Sequence, residues 1–497
     1  MSMKRNILLS ISAAATLAFS SCSGFLNVDN LGKSTIESFF SDIDGMKAAG
    51  VGLHKTILDF YDGYYLRFAD IGGDTQTASR VNCDEALLRL YDFDYYAEDN
   101  GGFPYSIWKS GYAIATNANN ILYYGQKLLD KYPEYESEIK THFGYAYFAR
   151  ALAIFDLCNC YAMPYGSTAD ASHLGVVAID YIPGFDDKLS RHTMKECYDR
   201  VIKDLNSSLK CFGNDDLTNP NYISGLACEA LLARVYLYMG DYANAAKYSS
   251  IVMDKVPLAK HDEYVGMFRK AQENPGEGIF RLNTYDNGTG MRSLYNPTGN
   301  QKLEPALEFM AKFDENDVRR ELFTFVGEKE DGEQYAGKQF TTVCKYLPVK
   351  TGVSDEKNRR SDFFVIRVSE MYLIHAEALC NGQPQDLSAA AKDIKELRAR
   401  ALSTVPDKIA LRYTTAKELD LIIQEERTKE LCFEGHRFMD IKRRMENVTR
   451  PKSTTSNRKS LTWPDIHYAL PICQLELQAN DYMVQNEGYT GRKTIGE

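Results

Sequence analysis

Apolar side chains recur along most of this chain at three- and four-residue steps. Between Met194 and Phe212 they fall at Met194, Cys197, Tyr198, Val201, Ile202, Leu205, Leu209 and Phe212, which places them on one stripe of a single helix. Phe143 to Tyr161 reads as a second helix, rich in Ala and aromatics and ended by Met163-Pro164. Pro104 to Leu129 reads as a third, with Trp108, Tyr112, Ile114 and Ile121 among its apolar positions. The chain is therefore expected to be mostly α.

Two segments suggest paired helices. From Glu229 onward, Ala233, Tyr236, Gly240, Tyr242, Ala245, Tyr248 and Pro257 fall near the positions a tetratricopeptide unit uses. Small residues let two antiparallel helices approach, Gly240-Asp241 makes the turn and Pro257 stops the second helix. A weaker pair runs from Glu370 to Arg400 across Gly382-Gln383-Pro384. Such hairpins cannot bury their faces alone, so stacking is expected. The period is lost from about 270 to 360, where Asn, Gly, Asp and Tyr cluster around Tyr285 and Tyr295. It is lost again from Asp70 to Phe103, which holds Gly72-Gly73-Asp74 and the aromatic run Tyr91 to Tyr96. This is turn chemistry, and loops on a rigid scaffold are where binding residues concentrate.

The N-terminus changes the picture. Lys4 and Arg5 precede an apolar run from Ile7 to Phe19, closed by Ser20-Ser21-Cys22. The order is that of a secretory signal, and the run is too short for a permanent membrane helix. Leu17 upstream and the small residues before Cys22 resemble a bacterial lipobox, which implies acylation of the Cys22 thiol. Two or more acyl chains make anchoring stable, at about 0.8 kcal/mol per buried CH₂.

Composition narrows the partners. The 497 residues are 44% hydrophobic and 25% charged, with a formal charge of −10 and a mean hydropathy of −0.38. Nucleic acid is an unsuitable partner, because phosphate binding needs a basic face. Beyond Cys22 ten cysteines remain, most inside apolar helical patterns, so buried free thiols are the default. Neither Cys158-Asn159-Cys160 nor the eight histidines have zinc spacing, and no metal or other cofactor is expected. The 33 tyrosines offer apolar rings with polar tips, suited to gripping sugars or peptides.

The C-terminal half carries more specific motifs. Arg367 to Ala378, then Ile423-Gln424-Glu425-Glu426-Arg427-Thr428-Lys429-Glu430-Leu431 and Phe433-Glu434-Gly435-His436-Arg437-Phe438-Met439-Asp440-Ile441-Lys442-Arg443 resemble the signature blocks of the SusD/RagB family of surface nutrient-binding lipoproteins. Leu470-Pro471-Ile472 and Gln485-Asn486-Glu487-Gly488-Tyr489 are similar to its closing elements, with Cys473 and Glu487 where prolines are usual. Phe148-Ala149-Arg150-Ala151, Tyr161-Ala162-Met163-Pro164 and Phe25-Leu26-Asn27-Val28 extend the match towards Cys22. The resemblance implies a SusD-like scaffold of tetratricopeptide-type hairpins with an irregular inserted subdomain. It divides the chain into a signal peptide (1–21), an N-terminal scaffold (22–265), the inserted region (266–360) and a C-terminal region (361–497).

The resemblance also implies a function: an outer-membrane lipoprotein, facing the exterior, that binds a glycan and delivers it to a SusC-like TonB-dependent transporter. A peptide-binding member of the same family is the alternative, followed by a helical glycosidase and a protein-interaction scaffold. A glycosidase needs two carboxylates about one sugar bond, and no pair stands out. GxSxG, HExxH, Walker-type and GxGxxG motifs are absent, so no catalytic residue is expected. Candidate ligand contacts are Asp74, Arg80, Tyr95, Tyr96, Asn100, Tyr285 and Tyr295, chosen as rings and hydrogen-bonding groups of the two irregular stretches, which are expected to meet on one face. Trp108 is more readily a core residue. Glu426, Arg427, Glu430, Glu434 and Arg437, spaced three and four apart, are expected to share a helix face, form ion pairs and knit helices together.

Overall fold

The computed structural model describes residues 35–213, 219–270, 276–284, 290–347 and 362–489. Cys22 and Tyr285 lie outside the described residues. After a single helical turn at Ile36–Phe39 come α1 (Ile43–Phe60), whose cap Asp42 accepts the Gly45 N–H, and α2 (Leu66–Ile71). Strand β1 (Gln76–Ala78) and helix α3 (Glu85–Asp92) follow. Then come the three helices that the apolar spacing predicts, α4 (Phe103–Lys131), α5 (Glu136–Tyr161) and α6 (Met194–Phe212). The start of α6 is fixed by a capping box in which Thr193 and Glu196 satisfy each other's backbone N–H. Helix α5 begins seven residues before the aromatic stretch that announced it, with Glu136 and Glu138 in its first turn. Such carboxylates favour a helix N-terminus. Every residue of α5 from Phe148 to Tyr161 is buried, so this helix runs through the centre of the molecule. Its one guanidinium there, Arg150, is held by Asp204 at 2.7 Å and Asn119 at 2.6 Å.

Both hairpins form. The first joins α7 (Gly225–Met239) to α8 (Tyr242–Met253). Gly240 takes the left-handed conformation (φ +76°) at the turn, and the Asp241 side chain accepts the Asn244 N–H. Helix α8 ends four residues before Pro257, so the proline is not what stops it. After β2 (Gly278–Leu282), β3 (Leu303–Pro305) and β4 (Phe363–Arg367), the second hairpin joins α9 (Val368–Asn381) to α10 (Leu387–Ala401). Helices α4 to α10 pack as a continuous series, each on the next, with α8 seated on α9. Helix α11 (Ala416–Glu430) packs on α9 and α10, and α12 (Arg437–Arg443) packs on α2. The hairpins therefore stack as the repeat reading requires. No described helix is long and apolar enough to cross a membrane, and the ten cysteines beyond Cys22 are free thiols, most of them buried.

The chain leaves the stack through β2 and returns through β4, its antiparallel neighbour. The excursion between them is irregular apart from short helical turns and two-stranded pairs. It is fastened to the stack by charge. Arg319 and Lys345, inside the excursion, reach Glu426 (2.7 Å), Glu430 (2.9 Å) and Glu434 (2.5 Å). Arg367, at the end of β4, holds Glu277, Glu430 and Glu434 at 2.6–2.8 Å, and Arg400 of α10 meets Glu430 at 2.7 Å. These groups are buried. The three- and four-residue spacing thus serves neighbours distant in sequence rather than pairs along one helix: Arg427 takes Asp440, and Arg437 takes Asp74.

One buried acid at the start of the irregular N-terminal stretch carries a pH prediction. Asp70, at the end of α2, accepts the Gly435 N–H through Oδ2 (2.9 Å). Burial pushes its carboxyl up to about 8. The raised value means that the folded state holds the proton more tightly than the unfolded chain. The resulting stabilisation is complete below about pH 4 and is lost as pH rises towards 8. Asp70→Asn, which keeps the accepting oxygen, should therefore gain on wild type across that window, by on the order of a few kcal/mol, and the gain should level off above it. Urea melts at pH 5 and pH 8.5 measure this; equal differences at both would show that Asp70 is not protonated in the fold.

Candidate functional site

The stretch from Asp70 to Phe103 is less irregular than its composition suggests. Asp84 caps α3 by accepting the Leu87 N–H, and Leu87, Leu90 and Tyr91 turn one face of that helix inward. Ahead of it, β1 pairs antiparallel with β3, Gln76 opposite Pro305 and Ala78 opposite Leu303. The Asn82 side chain donates to the Gln301 carbonyl (2.8 Å), and Lys302 meets Asp84 at 2.8 Å. The structure therefore brings the two irregular stretches together, along β1 and β3.

The candidate residues separate sharply there. Tyr96 is 37% exposed, its hydroxyl accepting from Arg89 and the guanidinium carbon lying 4.8 Å from the ring centroid. Asn100 is also exposed, in the turn that leads into α4. Tyr95, its neighbour in the run, points the opposite way: it is buried, donates to the His467 carbonyl and packs on Phe68. Tyr295 is fully buried, stacked on Tyr346 with centroids 5.8 Å apart and donating to Gln76 (2.9 Å). These two rings present no face to a ligand, and their role is in the core. Trp108 is likewise buried, against Tyr112 and Tyr161.

Asp74 and Arg80 are already paired. Arg437 grips Asp74 through two hydrogen bonds of 2.7 Å. Burial pushes the Asp74 carboxyl up, but the Arg437 guanidinium outweighs it and holds it below its usual range. Arg80 makes the same fork on Asp92, also at 2.7 Å, and donates to the Thr455 carbonyl. Asp92 in turn accepts from Ser456 and from the backbone and side chain of Asn457. Burial opposes its ionisation, yet Arg80, Ser456 and Asn457 hold it low. The turn Thr454 to Asn457 is thus part of this surface. Sequence reasoning missed it, because only the fold carries it across more than 360 residues to α3, and its one local signal is a Ser/Thr/Asn cluster.

Chemically, the stretch offers a half-open phenol ring backed by a cation at Tyr96 and, at Arg80 and Asp92, fixed ion pairs with hydroxyls and amides. Sugars present apolar C–H faces and directional hydroxyls, which rings and such polar groups complement.

Comparison with known proteins places this arrangement. Residues 321–489 match the family model described as the SusD family, and residues 72–237 match one described as starch-binding associating with outer membrane. SusD-like protein P2 of Formosa agariphila is 26% identical over 433 residues, covering 79% of this chain and 82% of that protein. A SusD superfamily protein from Bacteroides vulgatus superposes with a TM-score of 0.75 at 24% identity, over 90% of this chain and all of that one. A laminarin-binding SusD-like protein superposes with a TM-score of 0.68 at 21% identity, over 90% and 100% of the two chains. With both models matched in separate halves and the stacked-hairpin fold shared throughout, the chain belongs to the SusD family.

Proposed function

We propose that the protein is a surface lipoprotein that captures a glycan and passes it to a SusC-like TonB-dependent transporter in the outer membrane. The observation that carries the binding step is the exposed Tyr96 ring, backed by Arg89, just beyond α3 in the stretch that pairs with the second irregular stretch through β1. The laminarin-binding relative of the same fold supports a glycan as the ligand. Asp74, Asp84 and Asp92 are all held below their ordinary values. None of the three is therefore the raised-pKa acid a glycosidase requires, which favours capture over cleavage at this face. A glycan array on the mature protein, followed by calorimetric titration of the hits, tests the reading. Binding of one glycan class without release of new reducing ends is expected; a blank array with binding to peptides instead would move the protein to the peptide-binding members of its family.

The anchor is part of the same proposal. Cys22→Ala should leave the chain unacylated and move it from the membrane pellet to the soluble fraction, since one residue carries all of the acyl chains. Membrane retention of that variant through an intact lipid would overturn the lipobox reading.

A further inference from the structure

A pocket that shares no residue with the surface just described lies between α1, from Lys47 to Leu58, and the first half of α5, and has a volume of about 790 Å³. That is within the range of roughly 300–1,000 Å³ typical of small-molecule sites. Two imidazoles define its floor. His54 donates its Nδ1–H to the Gly50 carbonyl at 2.9 Å, one turn back on α1. His142 of α5 lies directly over Gly50, where a Cβ would come within 2.5 Å of its Nδ1. A larger residue at position 50 would fill the space the ring occupies. The far nitrogen of His54 (Nε2) and the Nδ1 of His142 are both buried without a hydrogen-bond partner. Such orphaned polar atoms are uncommon, and here they lie beneath the surface of the floor, with His142 Nδ1 turned to Gly50.

The walls specify what kind of ligand fits. Tyr145 stands edge-on to both imidazoles, and Tyr222, 55% exposed, stands edge-on to His54 at the mouth. Asn219, Asn221 and Asn283 supply amides. The three cations in the wall are already neutralised: Lys47 by Glu138 at 3.2 Å, Lys55 by Asp59, and Arg281 by Asp362 at 3.5 Å. Nothing is left over to select an anion. Burial lowers both histidines below their ordinary value, so at neutral pH each ring is uncharged, and the single N–H of His54 is already given to Gly50. An uncharged floor with amides around it matches hydroxyl groups, which both give and take hydrogen bonds.

We propose that this pocket is a second saccharide site, taking a neutral sugar unit whose hydroxyls meet the amides of Asn219 and Asn221 beside the half-buried edges of His54 and His142, while Tyr222 covers its apolar face. The proposal rests on the glycan-binding reading above and adds a second point of attachment on the same chain. The test is NMR of the histidine ring protons of the mature protein, assigned with His54→Gln and His142→Gln, during titration with maltohexaose and laminarihexaose. Saturable shifts of both rings are expected with one of these probes. Tyr222→Ala, at an exposed position, should raise the midpoint about tenfold, and Tyr96→Ala should leave it unchanged. If the rings stay still while calorimetry shows Tyr96-dependent binding of the same oligosaccharide, the second site does not exist and the first stands. If inorganic sulfate alone moves them, the pocket selects anions and the proposal is wrong. If neither oligosaccharide gives heat or shifts, and the array is blank as well, the glycan reading falls and takes this site with it.

Discussion

Arg367→Ala will lower the stability of this protein by about 3–5 kcal/mol, the cost of removing one partner from a buried ion pair. Arg367 is 1% exposed and is shared by Glu277, Glu430 and Glu434. Its loss leaves three carboxylates in the interior competing for Arg319, Lys345 and Arg400. Against a typical total of about 5–15 kcal/mol, that is a large fraction, and the melting temperature should fall accordingly. The same network sets the behaviour in acid. Burial alone would raise Glu426, but Arg319 and Arg398 hold it at about 2, and Arg400, Arg367 and Arg319 hold Glu430 well below its ordinary range. A depressed folded value means stability that is present above the unfolded value near 4.5 and lost only as pH falls towards 2. Wild type should thus keep this contribution at pH 5. Urea melts of wild type and Arg367→Ala at pH 7 and pH 5 measure both effects; a difference below about 1 kcal/mol at pH 7 would show that the network contributes little.

The second large effect separates ligand from core. Tyr96→Ala should lose on the order of 1–3 kcal/mol of glycan binding, as exposed stacking rings do, with stability within about 0.5 kcal/mol of wild type. Tyr295→Ala should do the opposite. Its ring is fully enclosed between Tyr346, Phe433 and Gln76, and deletion of a large buried aromatic costs about 3–5 kcal/mol of stability. The fraction that remains folded should bind as wild type. Calorimetric titration and thermal melting of the two variants decide between ring and core. Normal glycan affinity in Tyr96→Ala would place the capture surface elsewhere on the molecule.

How far the sequence could be read depended on the length of each pattern. Helix α6 repeats its apolar step over five turns, enough to define both ends, and α7–α8 adds Gly240 at a turn that only a left-handed residue suits. Helix α3 spans only eight residues, and the aromatic run that overlaps its end hides the period. The same run shows why the site was legible in outline only. Tyr95 and Tyr96 are adjacent and chemically identical, yet one is core and the other is surface. That choice is made by Phe68 and His467, which come from elsewhere in the chain. Likewise, Glu426, Glu430 and Glu434 announced an ionic block, but their partners Arg319, Lys345 and Arg400 lie far away in sequence and bear no local mark. Local spacing fixes helices, whereas long-range pairing fixes which side chains face water.

The entry and exit of the excursion through β2 and β4 has an evolutionary consequence. Adjacent strands lie about 4.8 Å apart, so whatever joins them begins and ends at nearly the same point, and its length costs little closure entropy. The whole region can be exchanged for another without lengthening or shifting a single helix of the stack. Inheritance of a new specificity is then a grafting problem with one condition attached. The graft must bring its own counter-charges for the three carboxylates that Arg319 and Lys345 now neutralise, Glu426, Glu430 and Glu434. A replacement lacking them would leave these buried carboxylates to Arg367, Arg398 and Arg400 alone, and such a hybrid would lose stability before its binding could be selected.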